Sequence, residues 1–198
     1  MSFTNFDTKE INCKVLYWGP KGSGKTANLR SLLQKTSADV RTGVLELGES
    51  TGSTQFFDFL PISLGHVGEF HLKIHLVTLP QNSIYETLPT ILARGVDGFV
   101  FVADSRIECL ADNIDSLSAL RHFLSEEGYT VADMPKVFQY NKRDLIGVVP
   151  VDILRQELNP AQEMDCEAVA VKHVGTTESL HAIAKQVMKR LAGQRSIL

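Results

Sequence analysis

The segment Gly19-Pro-Lys-Gly-Ser-Gly24-Lys25-Thr26 limits what this chain can fold into more than any other stretch. It fits G-x-x-x-x-G-K-[ST], follows an apolar run from Ile11 to Trp18, and opens a helix-period stretch from Lys25 to Gln34. Glycines there permit backbone angles that aim successive N–H groups at one point, which makes a nest for an anion. The helix that follows adds the partial positive charge of its N-terminus. With glycine near 7% of residues, a chance match in a chain of this length has odds of about one in a hundred. The candidate phosphate-binding residues are Gly19, Lys21, Gly22, Ser23, Gly24, Lys25, Thr26 and Ala27. Lys25 is the residue to reach the β- and γ-phosphates, and the Thr26 hydroxyl is a candidate Mg²⁺ ligand.

The rest of the chain alternates apolar runs with helix-period stretches, the pattern of an α/β fold with a parallel sheet. Strands are expected at Phe56 to Ser63 and Phe70 to Leu79, with Gly65 and Gly68 marking the turn between them. Further strands are expected at Asp97 to Ala103, Lys136 to Tyr140 and Glu167 to Val171. Helices are expected over Leu110 to Leu124, Val151 to Leu158 and Ser179 to Leu191. Residues 36–52 read as a long polar loop, with one short strand around Val44 to Leu47. At 198 residues, with no repeat and no low-complexity linker, one domain is expected.

Composition excludes several classes. A chain that is 43% hydrophobic and 22% charged is neither disordered nor fibrous. Twenty basic against twenty-three acidic residues leave a net charge of −3, so the footprint of a sequence-independent nucleic-acid binder is missing. Cys13, Cys109 and Cys166 are too scattered for a disulfide framework or a zinc site, and their odd number suits a reducing compartment. The longest apolar run, Val96 to Ala103, is strand-length and broken by Asp97, and neither end carries a signal or lipidation motif. A cytoplasmic chain is expected, brought to any membrane or cell pole only by a partner.

Asn141-Lys142-Arg143-Asp144 ends the strand Lys136 to Tyr140, at the carboxyl edge where such sheets bind ligands. An aspartate there accepts two hydrogen bonds from the ring N–H and exocyclic amino group of guanine, a pair that adenine does not offer. Asn141 serves the opposite edge of the base, and the Lys142 stem lies against its face. The plain alternative is a polar loop that caps the next helix. Two further strand–helix units separate this tetrapeptide from Lys25, a spacing that resembles that of small Ras-like GTPases, and by that resemblance guanine is expected over adenine.

With both motifs in place the chain resembles the Ras superfamily, and within it the MglA family of bacterial small GTPases that control cell polarity and motility. The similarity spans about residues 8–192. Its most specific stretches are Gln55-Phe-Phe-Asp-Phe-Leu-Pro61, Gly95-Val-Asp-Gly-Phe-Val-Phe-Val-Ala-Asp104 and Gln139-Tyr-Asn-Lys-Arg-Asp-Leu145. The resemblance implies a three-layer P-loop NTPase fold of the Ras type, with a mostly parallel six-stranded sheet and an extra strand near switch I. It also implies GTP or GDP with Mg²⁺, and a nucleotide cycle read by polarity and motility partners. Those partners would include a roadblock-type activator and a response-regulator-like localisation factor.

By the same resemblance, Thr54 is the switch I threonine that senses Mg²⁺ and the γ-phosphate. The family arginine before it is Ser53 here. Where switch II of the family reads Val-Pro-Gly-Gln, this chain reads Leu79-Pro80-Gln81-Asn82. The catalytic candidates are therefore Asn82, one methylene shorter than the family glutamine, and the neighbouring Gln81. An arginine finger is worth roughly 10³–10⁵ in rate, so slow or absent GTP hydrolysis is expected. Thr78 stands where Ras proteins usually have a metal-linked aspartate, as in the MglA family. Asp58 reads either as a water-mediated metal ligand or as a charge on a strand edge. Ala170, in Glu167-Ala-Val-Ala-Val171, stands for the alanine of the S-A-K loop that backs the base, and Val171 lacks its lysine.

Other groupings carry less. His66, His71 and His75 lack an acidic or cysteine companion and read as a solvated strand face. Asp104-Ser105 has no histidine to complete a nucleophile and reads as a helix cap. Phe56, Phe57 and Phe59 alternate along a strand, so one face is core and the other is either core or a partner surface beside switch I. Two rival readings remain: a pseudo-GTPase scaffold that binds polarity partners without switching, and a P-loop kinase, in which the Asn141–Asp144 motif has no role.

Overall fold

A computed structural model describes residues 3–35, 59–79 and 94–195. The expected loop and short strand of residues 36–52 lie outside these, as do Ser53, Thr54, Phe56, Phe57, Asp58, Gln81 and Asn82. Within the described residues the strands are β1 (Phe3–Asn5), β2 (Glu10–Trp18), β3 (Phe59–Val67), β4 (Phe70–Thr78), β5 (Gly98–Asp104), β6 (Lys136–Asn141) and β7 (Asp165–Glu167). The α-helices are α1 (Lys25–Lys35), α2 (Leu110–Glu126), α3 (Val151–Leu158) and α4 (Thr176–Arg195). None of these helices is long and apolar enough to cross a membrane.

Six strands run in the order β3-β4-β2-β5-β6-β7. Every neighbouring pair is parallel except β3 and β4, which form the expected antiparallel pair. The short β1 adds a seventh strand, antiparallel to β2 at Phe3↔Asn12. Sequence reasoning missed it, because three residues are too few for periodicity to register. From β2 the chain builds outward to β4 and then crosses back to β5. The sheet therefore has its switch point at the end of β2, where a ligand crevice opens.

Alternation along the strands sorts the core into two layers. Ile11, Val15, Leu60, Ile74, Leu76, Val100 and Val102 meet α1 and α4 through Leu32, Ile183 and Val187. Leu16, Val77, Phe99, Phe101 and Phe138 meet α2 and α3 through Leu120, Leu124 and Leu154. Each fully buried Leu, Ile or Phe contributes about 1.5–3 kcal/mol relative to exposure. The expected seam of α2 holds at Leu117, Leu120 and Leu124, whereas Ile114 turns outward at 39% exposure.

Three expectations shift. Gly65 lies inside β3, in the irregular stretch between Ser63 and His66, and the turn falls at Gly68 and Glu69 alone. A glycine inside a strand is the usual mark of such an irregularity. The last strand is Asp165–Glu167, and Ala170–Lys172 is a 3₁₀ turn closed by the Val169↔Val174 bridge. The short apolar run Ala168 to Val171 cannot by itself tell strand from turn. His71 and His75 are half-buried, not solvated: Ser63 and Asn12 hydrogen-bond their Nε2 atoms at 2.7 and 2.8 Å. Among the described residues no group of three His, Cys, Asp or Glu side chains could hold a metal.

Candidate nucleotide site

The C-terminal ends of β2, β5, β6 and β7 release four loops at one edge of the sheet, and the site is built from these loops. The first is the phosphate loop. Gly19 has φ +152°, and a Cβ there would fall on the Val102 carbonyl of β5. Gly24 has φ +103°, and a Cβ there would strike the Asn141 side-chain amide. Both positions exclude every L-side chain, by angle and by space. Ser23 is fully buried, whereas Lys21 and Gly22 are exposed at the tip. Among the described residues the amide groups of Lys21, Gly22 and Gly24 make no hydrogen bond. Lys25 bends its ammonium over the loop, donating to the Gly19 and Pro20 carbonyls at 2.8 Å each. Thr26 and Ala27 continue the first turn of α1 below it.

Unpaired amides, a lysine and two positions that admit only glycine form a cradle that fits a polyphosphate. Thr26, the candidate Mg²⁺ ligand, stands in the first turn of α1 directly after Lys25.

Asn141, buried at the end of β6, ties the loops together. Its Nδ2 donates to the Ser23 carbonyl at 2.7 Å, and its Oδ1 accepts the Ala170 N–H at 3.0 Å. Its own carbonyl accepts the Ser105 N–H at 3.0 Å. One amide thus fixes the phosphate loop against the loop after β7. The Ala170 N–H is spent on Asn141, whereas the next amide, that of Val171, makes no hydrogen bond among the described residues. Lys172, one residue later than the lysine position counted from sequence, ion-pairs with Asp144 at 2.9 Å. That hydrogen bond holds the Asp144 carboxyl below its usual range.

Lys142, with φ +65°, sends its ammonium to Asp104 Oδ2 at 2.6 Å. Asp104 is 1% exposed and also takes the Arg106 guanidinium in a fork, from Nε at 3.1 Å and Nη2 at 2.8 Å. Burial pushes this carboxyl up, but the bonds from Arg106 and Lys142 outweigh it and hold it at about 2. The capping role expected for Asp104 is thus replaced: Cys109 precedes α2, with no side-chain cap, and Asp104 anchors two cations beside the base motif. Adjacent polar residues after a strand look like a cap in sequence, and only the return of β6 alongside β5 brings Lys142 to them.

Arg143, the variable position of the motif, was missed altogether. Its guanidinium bridges Glu167 at 2.9 Å and the Val149 carbonyl at 2.7 Å, bracing the loops on either side of the base motif.

No family model matches the chain. The mutual gliding-motility protein MglA of Myxococcus xanthus (strain DK1622) is 44% identical over 191 residues, which cover 96% of this chain and 98% of that protein. At that identity over nearly the full length of both proteins, the chain belongs to the MglA family of Ras-like small GTPases.

Proposed function

We propose that this protein is a guanine-nucleotide switch of the MglA type, regulating cell polarity and the motility driven by type IV pili or gliding machinery. The observation that carries the reading is the Asn141 side chain, which joins Ser23 of the phosphate loop to Ala170 of the base-backing loop. A purine nucleotide, with its polyphosphate in the loop at Gly19–Thr26 and its base beside Ala170, suits that span. In this reading Asp144 accepts from the guanine ring N–H and amino group, Lys142 flanks the base, and the Val171 amide donates to the base carbonyl. GTP with Mg²⁺ would be held through Lys25, Thr26 and the switch I residue Thr54. The metal neutralises charge on the β- and γ-phosphates when bound.

The two switch loops, ordered by the γ-phosphate, would present the surface that partners read. A roadblock-type activator and a response-regulator-like localisation factor suit that surface, and recruitment by one of them would bring the protein to a cell pole. Hydrolysis is slow because Ser53 supplies no guanidinium, and because Gln81 and Asn82 replace the glycine and glutamine that place the attacking water.

Denaturing the purified protein and separating the released nucleotide by chromatography tests the reading. Guanine nucleotide is the expected result. Adenine nucleotide would point to a kinase, and an empty site that refuses labelled GTP would leave a scaffold.

A further inference from the structure

Beneath the nucleotide site lies a second tie, outside the phosphate loop Gly19–Thr26 and the tetrapeptide Asn141–Asp144. Asn28, on α1, and Gln139, on β6 two residues before Asn141, are both fully buried. Their side-chain amides pair reciprocally: Asn28 Nδ2 donates to Gln139 Oε1 at 2.8 Å, and Gln139 Nε2 donates to Asn28 Oδ1 at 2.9 Å. The second proton of each amide is also used. Asn28 Nδ2 donates to the Gly24 carbonyl at 3.0 Å, and Gln139 Nε2 to Ser179 Oγ at 2.7 Å. Ser179, buried on α4, passes its own proton to the Gly175 carbonyl at 2.7 Å. All four amide protons and the hydroxyl proton are satisfied without water.

An apolar pair of similar volume would fill this space without hydrogen-bonding demands, and a half-satisfied network would cost more than it returns. What the amides add is direction. Gly24 is the last glycine of the phosphate loop, Gln139 lies on the strand that delivers the base motif, and Gly175 ends the loop behind the base. The chain of bonds therefore fixes the distance between the phosphate and base subsites while touching neither ligand part.

Building on the guanine-nucleotide reading above, we propose that Gln139 and Asn28 are positioning residues that set the span between the two subsites and so govern how long the intact nucleotide stays bound. A ligand held at two joined subsites gains from their fixed separation, whereas each fragment alone does not. Loss of the tie should therefore weaken GDP and spare guanosine and pyrophosphate measured separately.

The test uses the full chain and fluorescently labelled GDP. Gln139→Leu should release GDP about tenfold faster than the wild type, the ratio carried by roughly one net buried hydrogen bond. Affinities for guanosine and for inorganic pyrophosphate, titrated separately by NMR, should stay within about twofold. The exchanged pair Asn28→Gln with Gln139→Asn keeps both amides and the total chain length, and should bring release back toward the wild-type rate. If Gln139→Leu fails to fold, Ser179→Ala removes one arm only and should still speed release with the fragments unaffected. Unchanged release in the folded variants overturns the proposal. So does a loss shared equally by the fragments, or an exchanged pair as fast as Gln139→Leu. A wild-type protein that binds no GDP overturns the guanine-nucleotide reading itself, and this inference with it.

Discussion

Asp144 meets Lys172 at 2.9 Å, so a guanine read as proposed above would share this carboxylate with an ammonium, and its two oxygens have room for both. Replacing one of them by an amide reverses a donor–acceptor relation without changing shape. Asp144→Asn should cost guanine nucleotide at least about a hundredfold in affinity, because two hydrogen bonds to a charged acceptor are spoiled. It should also gain xanthine nucleotide, whose 2-oxo group accepts from the new Nδ2. Competition against labelled GDP measures both, and a variant that keeps its guanine preference would remove Asp144 from base reading.

Asp104 gives a residue-scale prediction of another kind. Its folded-state value of about 2 lies below the ordinary carboxyl value, so the unfolded chain binds more protons in the interval between them. The stabilisation is complete above the ordinary value and is lost as pH falls toward 2. Asp104→Asn should destabilise the protein by about 1–3 kcal/mol at neutral pH, since Lys142 and Arg106 keep partial access to water. Urea denaturation of both proteins should show the gap closing between pH 4 and pH 2, where wild type alone titrates this group. The gap should narrow there by at most about 1.4 kcal/mol for each step of one in pH.

At the scale of elements, the phosphate loop and the base motif were legible because each sits where a strand hands over to another structure. Periodicity locates such boundaries well. The loop after β7 was not legible in detail. Ala168 to Val171 is a short apolar run, and whether it makes strand or turn depends on the Val169↔Val174 bridge and on the Asn141 side chain, both supplied by the fold. The resemblance to the S-A-K loop put the base-backing residue at Ala170, whose N–H is held by Asn141, while the Val171 amide makes no hydrogen bond among the described residues. The Asp104–Arg106–Lys142 cluster escaped for a related reason, since its members come from two strands that pair only in the folded sheet. The junction of two loops also yields a prediction. Gly24→Ala would force a Cβ onto the Asn141 amide at φ +103°, so it should cost about 1–3 kcal/mol of stability. It should also abolish nucleotide retention, because the same amide holds the Ser23 carbonyl. Calorimetry together with nucleotide extraction checks both effects.

For the whole molecule, binding and turnover separate. In the function proposed above, a chain of net charge −3 would hold a polyphosphate through a local positive field, made of backbone amides, Lys25 and the positive end of α1. By the resemblance, the phosphate loop and the Asn141–Asp144 motif keep the Ras pattern, whereas Ser53, Gln81 and Asn82 depart from the family's catalytic residues. A switch that loads GTP but hydrolyses it slowly spends its time in whichever state exchange supplies, so its timing passes to exchange and to partners. Restoring the family residues should reverse this. Ser53→Arg with Gln81→Gly and Asn82→Gln should raise single-turnover GTP hydrolysis by at least about a hundredfold, given that an arginine finger alone carries roughly 10³–10⁵. The affinity for GDP should not change, because none of the three residues belongs to the phosphate cradle or the base motif. Wild-type hydrolysis at the pace of an ordinary small GTPase, or a triple variant no faster than wild type, would show that the altered switch residues do not limit the reaction.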